Sequence, residues 1–167
     1  MEIPKPNPPL ADGTVALRPW CVEDAPVLAR AWADPAIRRW CSVTAEATVE
    51  GAERWIAGAD GCRQDGLALD LAIETEDGVV GEVGLGPIQW AHERAAVGFW
   101  IDAEHRRHNL AAKALKLLAT WALAELPLDT LAAEASSENP ASGWTLAAAG
   151  FNIATERTPK QAWILRP

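Results

Sequence analysis

Between Phe99 and Leu115 an alternating apolar stretch gives way to a polar turn, Glu104-His105-Arg106-Arg107-His108-Asn109, and then to a long apolar-striped segment. A helix that starts after such a turn leaves its first N–H groups unpaired and carries about half a positive charge there. Arg106, Arg107 and His108 add basic side chains at that same end. Arginines so placed oppose the helix dipole, and a bound anion resolves the conflict; a pyrophosphate suits the site. An arginine-rich solvated turn is the alternative that this chemistry leaves open. Glu82, between Gly81 and Gly84, and Glu134 are carboxylates within strand-like segments, where each reads either as a proton acceptor or as a solvent-facing strand residue. Ser142 follows Asn139-Pro140, so its hydroxyl serves a helix's first turn or a reaction.

The elements that must position these groups can be read from periodicity. Thr14 to Trp20 reads as a strand that Pro19 stops. Glu23-Asp24 opens a helix striped by Val27, Leu28, Ala31 and Trp32, and Asp34-Pro35 ends it. A second helix fits about residues 45–57. Leu69, Leu71 and Ile73 share one face of a strand, and Glu76-Asp77-Gly78 turns the chain into a returning strand from Val79 to Leu85. Gly86-Pro87 interrupts that strand before Ile88 to Trp90. In the next strand, to Asp102, Val97, Phe99 and Ile101 face one way and Gly98 and Trp100 the other. A long helix runs from about His108 to Leu126, with Leu110, Ala114, Leu117, Leu118 and Trp121 as its stripe. Leu128 to Ser136 is a strand. Asn139-Pro140 caps and starts a helix, and Gly150 ends it. Phe151 to Glu156 and Gln161 to Leu165 close the chain as two strands. The expectation is one α/β domain: a mixed, mostly antiparallel twisted sheet of six to seven strands flanked by about four helices. Residues 1–13 form a Pro-rich arm and 14–167 the domain.

Composition narrows the classes. A net charge of −8 over 167 residues disfavours nucleic acid and suits a cationic small molecule or basic peptide. No stretch approaches the roughly 18 apolar residues of a membrane span, and Met1 to Pro9 lacks the apolar region of a secretory signal. Cys21, Cys41 and Cys62 have no zinc spacing and read as reduced thiols, so the chain is expected in the cytoplasm. His92, His105 and His108 have no ligand spacing, and no metal site is expected. Nine tryptophans and no tyrosine remove one common general acid.

Phe99-Trp100-Ile101-Asp102, the turn from Glu104 to Asn109, and Leu110-Ala111 with Ala114-Leu115 resemble the acetyl-CoA motif of the Gcn5-related N-acetyltransferases (GNAT), Gln/Arg-x-x-Gly-x-Gly/Ala. Asn139-Pro140-Ala141-Ser142 with Gly150-Phe151 resembles that family's second signature. Leu17-Arg18-Pro19 with Asp24, Gly81-Glu82-Val83 and Val97-Gly98-Phe99-Trp100 are similar to the RimJ/RimL-like branch. The resemblance spans about residues 14 to 157, and its weight lies in the order and spacing of the motifs.

It implies an acetyl-CoA-dependent N-acetyltransferase whose acceptor is a protein N-terminus or a small cationic amine. The amine attacks the thioester directly, through a tetrahedral oxyanion. Phe99, Trp100 and Ile101 would offer backbone groups to the cofactor's arm and acetyl carbonyl. Backbone N–H groups of Arg106, Arg107, His108, Asn109, Leu110 and Ala111 would cradle the pyrophosphate. Asn139 would contact the arm, and Ser142 would lie near the thiol and protonate it. Glu82 and Glu134 are the candidate bases; His92 and Glu93 border the acetyl strand. Trp32, Trp40 and Trp55 line an amine pocket or fill the core, as do Trp100 and Trp144 for the cofactor channel. A homodimer is compatible with the surplus tryptophan. Two departures bear on activity: Asn109 stands where the motif has glycine, and Ala96 where many relatives carry an acid. They support a second reading, a catalytically weak or inactive acyl-CoA-binding module of the same fold.

Overall fold

The structure is a computed structural model that describes residues 1–41, 43, 45–157 and 160–167. Eight strands form one sheet in the order β1-β2-β3-β4-β5-β6-β8-β7. They are β1 (Leu10–Ala11), β2 (Ala16–Pro19), β3 (Leu69–Thr75), β4 (Gly78–Gln89), β5 (Arg94–Ile101), β6 (Thr130–Ser136), β7 (Asn152–Arg157) and β8 (Lys160–Leu165). The α-helices are α1 (Ala25–Ala33), α2 (Pro35–Trp40), α3 (Val49–Gln64), α4 (Leu110–Glu125) and α5 (Pro140–Ala148). The α/β class and the mixed sheet are as expected, with eight strands in place of six to seven and five α-helices in place of about four among the described residues.

The extra helix has a local cause. Asp34-Pro35 ends α1 and also starts α2, because the Asp34 carboxylate accepts the Ala36 N–H at 2.7 Å and proline fits the first helical position. Helix α3 begins later than its apolar spacing suggests, since Thr48 Oγ1 caps the Gly51 N–H at 3.0 Å, and it runs on to Gln64. The Pro-rich segment is moored: Ile3 is fully buried, and the Arg63 guanidinium holds Glu2 and the Ile3 carbonyl.

Side-chain alternation divides the sheet between two cores. Leu69, Leu71, Ile73, Val83, Leu85, Val97 and Ile101 pack beneath α4, whose buried face is Leu110, Ala114, Leu115, Leu118, Ala119 and Ala122. The expected stripe is thus rotated, leaving Leu117 and Trp121 at its margin. The opposite face carries Ala72 and Trp100 against Trp20, α1 and α3. Arg18 fastens this second layer. Its guanidinium grips Asp24 with two bonds of 2.7 and 3.0 Å and reaches Glu74 at 3.1 Å, so β2 is tied both to the start of α1 and to β3.

One topological feature prepares a site. Strands β5 and β6 are the sheet's parallel pair, and they pair only from Arg94–Ala96 to Thr130–Ala132. Beyond Ala96 they diverge, which frees the inner edges of Val97–Ile101 and Ala133–Ser136. All other neighbouring strands pair antiparallel.

Candidate active site

Two side-by-side rows on the sheet face turned away from α4 define the chemistry. The register aligns Asp70 with Gly84 and Gly98 across β3, β4 and β5, and aligns Ala72 with Glu82 and Trp100 one step along. The first row is a trough: a methyl placed on Gly98 would meet nothing within 4 Å, and one on Gly84 would lie 2.4 Å from Asp70 Oδ1. The second row holds Glu82 beneath the tryptophans. Trp100 Nε1 donates to Glu82 Oε1 at 3.1 Å, while Glu82 Oε2 is sealed from solvent without a hydrogen-bond partner among the described residues.

Both carboxyls are strongly perturbed. Burial pushes Glu82 up to about 8, helped by the charge of Asp70 and opposed by the indoles of Trp100 and Trp20. Burial alone lifts Asp70 to about 6. Two neighbouring acids with displaced proton affinities, both lining a cleft, make this the candidate functional site.

These groups open on a cavity of about 440 Å³ that runs to the β5–β6 divergence. Trp32, Trp40, Cys41 and Trp55 wall it on one side; Ala133, Glu134, Ser142 and Leu146 lie on the other. The tryptophans brace one another, Trp55 meeting Trp20 and Trp32 edge-on at 6.4 and 5.8 Å and Trp20 stacking on Trp100 at 6.2 Å. Burial raises the Cys41 thiol to about 11, so it is not a thiolate near neutrality.

At the end of β5 the chain enters the basic turn. Arg107 and Asn109 both adopt positive φ, 70° and 59°, at the two positions where glycine would be at ease. The Asn109 side chain makes no capping bond, and the first-turn amides of α4 have no intrahelical acceptor. Arg107, His108 and Asn109 are exposed. Leu110 is buried and Ala111 half-buried, so both offer the site only backbone.

Arg106 is engaged differently from its neighbours. Its Nε donates to the Ile101 carbonyl at 2.9 Å and its Nη2 pairs with Asp34 at the head of α2. Arg30 pairs with Asp102 at 2.8 Å, so two ion pairs moor the helices above the tryptophan cavity to the turn.

The structure thus brings Glu82, Glu134, Ser142, Phe99 and Trp100 to one cavity. Glu134 is exposed there and bonded to Lys160 at 2.7 Å. Asn139 caps α5 through its backbone, its carbonyl accepting the Ser142 N–H at 3.1 Å. His92 and Glu93 precede the first residue of β5, at the strand end remote from the turn. Trp144 is 72% exposed and neither fills the core nor lines the cavity. Asp70 went unnoticed in the sequence; its signal is an acid within an otherwise apolar strand, on the face opposite the leucines.

Comparisons with known proteins agree with this geometry. Residues 14–152 match the acetyltransferase (GNAT) domain family. An uncharacterized N-acetyltransferase p20 of Bacillus licheniformis is 26% identical over 127 residues, 75% of this chain and 71% of that protein. An uncharacterized N-acetyltransferase YoaA of Bacillus subtilis (strain 168) is 23% identical over 146 residues, 86% and 82% of the two chains. Among solved structures, the ribosomal-protein-S5-alanine acetyltransferase of Vibrio fischeri superposes with a TM-score of 0.81 at 16% identity, covering 95% of this chain and 96% of that one. RimL, a ribosomal L7/L12 α-N-protein acetyltransferase solved with coenzyme A, gives 0.78 at 16%, covering 95% and 97%. The microcin C7 self-immunity acetyltransferase MccE, solved with acetyl-CoA and AMP, gives 0.79 at 15%, covering 93% and 94%. The chain belongs to the GNAT acetyltransferases and is an acyltransferase.

Proposed function

We propose that this protein is an acetyl-CoA-dependent N-acetyltransferase acting on a primary amine, with Glu82 as the proton acceptor. The observation that carries the reading is the Glu82 carboxyl, with one oxygen unpartnered among the described residues, on a residue that lines a cavity running to the β5–β6 divergence.

The residues present fit the cofactor. The uncapped N-terminus of α4, approached through two positive-φ residues, offers backbone N–H groups to a pyrophosphate. The inner edge of β5 at Val97 and Phe99, unpaired with β6, offers peptide groups to the amide-bearing arm, while Arg106 already occupies the Ile101 carbonyl. Acetyl-CoA, when bound, supplies an activated acetyl thioester. Glu82, as a carboxylate, takes a proton from the acceptor ammonium and leaves a neutral nitrogen to attack. An ammonium beside Oε2 favours that carboxylate, so the acceptor draws the group into its reactive form. Ser142 is among the residues that line the cavity, and its hydroxyl would return a proton to the departing sulfur. Asn109 keeps the left-handed conformation that glycine would supply, which favours an active enzyme over the inactive binding module. Three free thiols accord with a cytoplasmic setting.

Calorimetric titration with acetyl-CoA tests the cofactor site, with Asn109→Asp beside the wild type. Aspartate is nearly isosteric, tolerates positive φ and suits a helix N-terminus, so the variant folds. Its added charge repels a pyrophosphate. Micromolar binding weakened at least about tenfold by the variant is expected; no binding at millimolar acetyl-CoA overturns the assignment.

A further inference from the structure

Among the described residues, the charged ones that line the cavity are Asp70, Glu82 and Glu134, and no lysine, arginine or histidine does so. Glu134 is neutralised by Lys160. Asp70 and Glu82 have no basic side chain within ion-pair distance among the described residues, and Asp70 accepts no hydrogen bond there. A single proton acceptor requires one carboxyl; the second has no task in proton removal. Burying it costs free energy unless a ligand compensates.

Its position indicates what compensates. Asp70 and Glu82 are diagonal neighbours on adjacent strands, on one face, so their positions lie roughly 7–8 Å apart, within reach of a short diamine. Gly84 and Gly98 leave the floor between and beside them bare. Trp32 and Trp55 line the cavity with it, and an indole face attracts a desolvated cation, while the Trp40 ring already carries the Arg39 guanidinium 4.6 Å from its centroid. Both residues line the cavity and Glu82 Oε2 has no hydrogen-bond partner among the described residues, so a cationic ligand is what would compensate the pair.

We infer that the preferred acceptor is a dicationic amine, its reacting nitrogen at Glu82 and its second cationic centre held by Asp70 beneath the tryptophan wall. A linear diamine such as 1,4-diaminobutane spans the two carboxyls. The inference rests on the N-acetyltransferase reading and names its substrate class. Asp70 is then a specificity residue, binding the far charge without touching the reacting atoms.

The test uses the full chain and follows thiol release from acetyl-CoA with 1,4-diaminobutane, 1-aminobutane and a peptide with a free N-terminus. The diamine is expected to exceed 1-aminobutane at least about tenfold in kcat/KM. Asp70→Asn, its folding checked by circular dichroism, is expected to abolish the diamine's advantage by raising its KM, whereas any change through the protonation of Glu82 moves both amines alike. Equal use of mono- and diamines, a preference for the peptide, or an equal loss for both amines in Asp70→Asn overturns the inference and leaves the enzyme reading standing. If no acceptor turns over, calorimetry with 1,4-diaminobutane alone decides: binding lost in Asp70→Asn supports the inference, and no binding overturns it. Failure to bind acetyl-CoA in its own titration instead strikes the parent reading.

Discussion

Replacing Glu82 with glutamine is expected to make the protein more stable and nearly inactive. The folded carboxyl keeps its proton up to about pH 8, against an ordinary value of 4.5. Between those values the unfolded chain has released a proton that the folded protein still holds. The stability contributed by this raised group is therefore fully present below pH 4.5 and is lost as pH rises towards 8. At about 1.36 kcal/mol per pH unit, the loss reaches about 3 kcal/mol at pH 7 and nears 5 kcal/mol above pH 8, as an upper bound. Glutamine is neutral throughout and escapes it. It keeps the acceptor for Trp100 Nε1, and its unpaired amide N–H replaces an equally unpaired acid O–H. Asp70 remains in both proteins and largely cancels. For a chain of this size about 3 kcal/mol corresponds to roughly 6–12 °C in Tm. Catalysis moves the other way, since losing a general base costs about 10²–10⁴-fold. The wild-type kcat/KM should also rise with pH through about 8 and the variant should lose that limb. Melting curves from pH 5 to 9 and a thiol-release assay read both effects. Melts that stay parallel across that range refute the burial argument, and activity within threefold of wild type refutes the base.

Other perturbations separate the neighbouring roles. Gly84→Ala places a methyl against Asp70 Oδ1 and 3.2 Å from the Leu69 carbonyl; amine KM should rise while acetyl-CoA affinity, read by calorimetry, is unchanged. In the turn, Arg107→Gly relieves a φ of 70° and should leave stability equal or higher by up to about 1 kcal/mol, whereas Asn109→Ala should cost about 1 kcal/mol in urea unfolding. Burial raises Asp24, but Arg18 and the Cys21 N–H overcome it and hold the carboxyl at about 2, below its ordinary 3.8. That contribution is present above pH 3.8 and lost as pH falls through 2, so Asp24→Asn should cost about 2 kcal/mol at pH 7 and almost nothing near pH 2.

Much of the frame was legible because its signals are local. Alternation in Leu69–Ile73 and Val97–Ile101, the Asn139-Pro140 start and the polar turn after Ile101 depend on residues a few places apart. The same chemistry that marks Asn139-Pro140 also marks Asp34-Pro35, where reading a stop concealed a start. Asn109 too was open to reasoning, since a short polar side chain tolerates the left-handed region that glycine otherwise fills.

Sequence by itself determined the fold family, the basic turn before the long helix and the presence of an acid at position 82. Tertiary structure decided which residues stand beside them. Only strand register sets Asp70 beside Gly84 and Gly98 and Glu82 beside Trp100, because residues brought together by cross-strand pairing are distant in the chain. Only the parting of β5 from β6 beyond Ala96 joins that acidic floor to Ser142. Arg106 shows the converse: its position in the turn suggested an anion ligand, and the fold brings Asp34 to it. Spacing places a backbone amide well, but the partner of a long side chain depends on which distant segment folds against it.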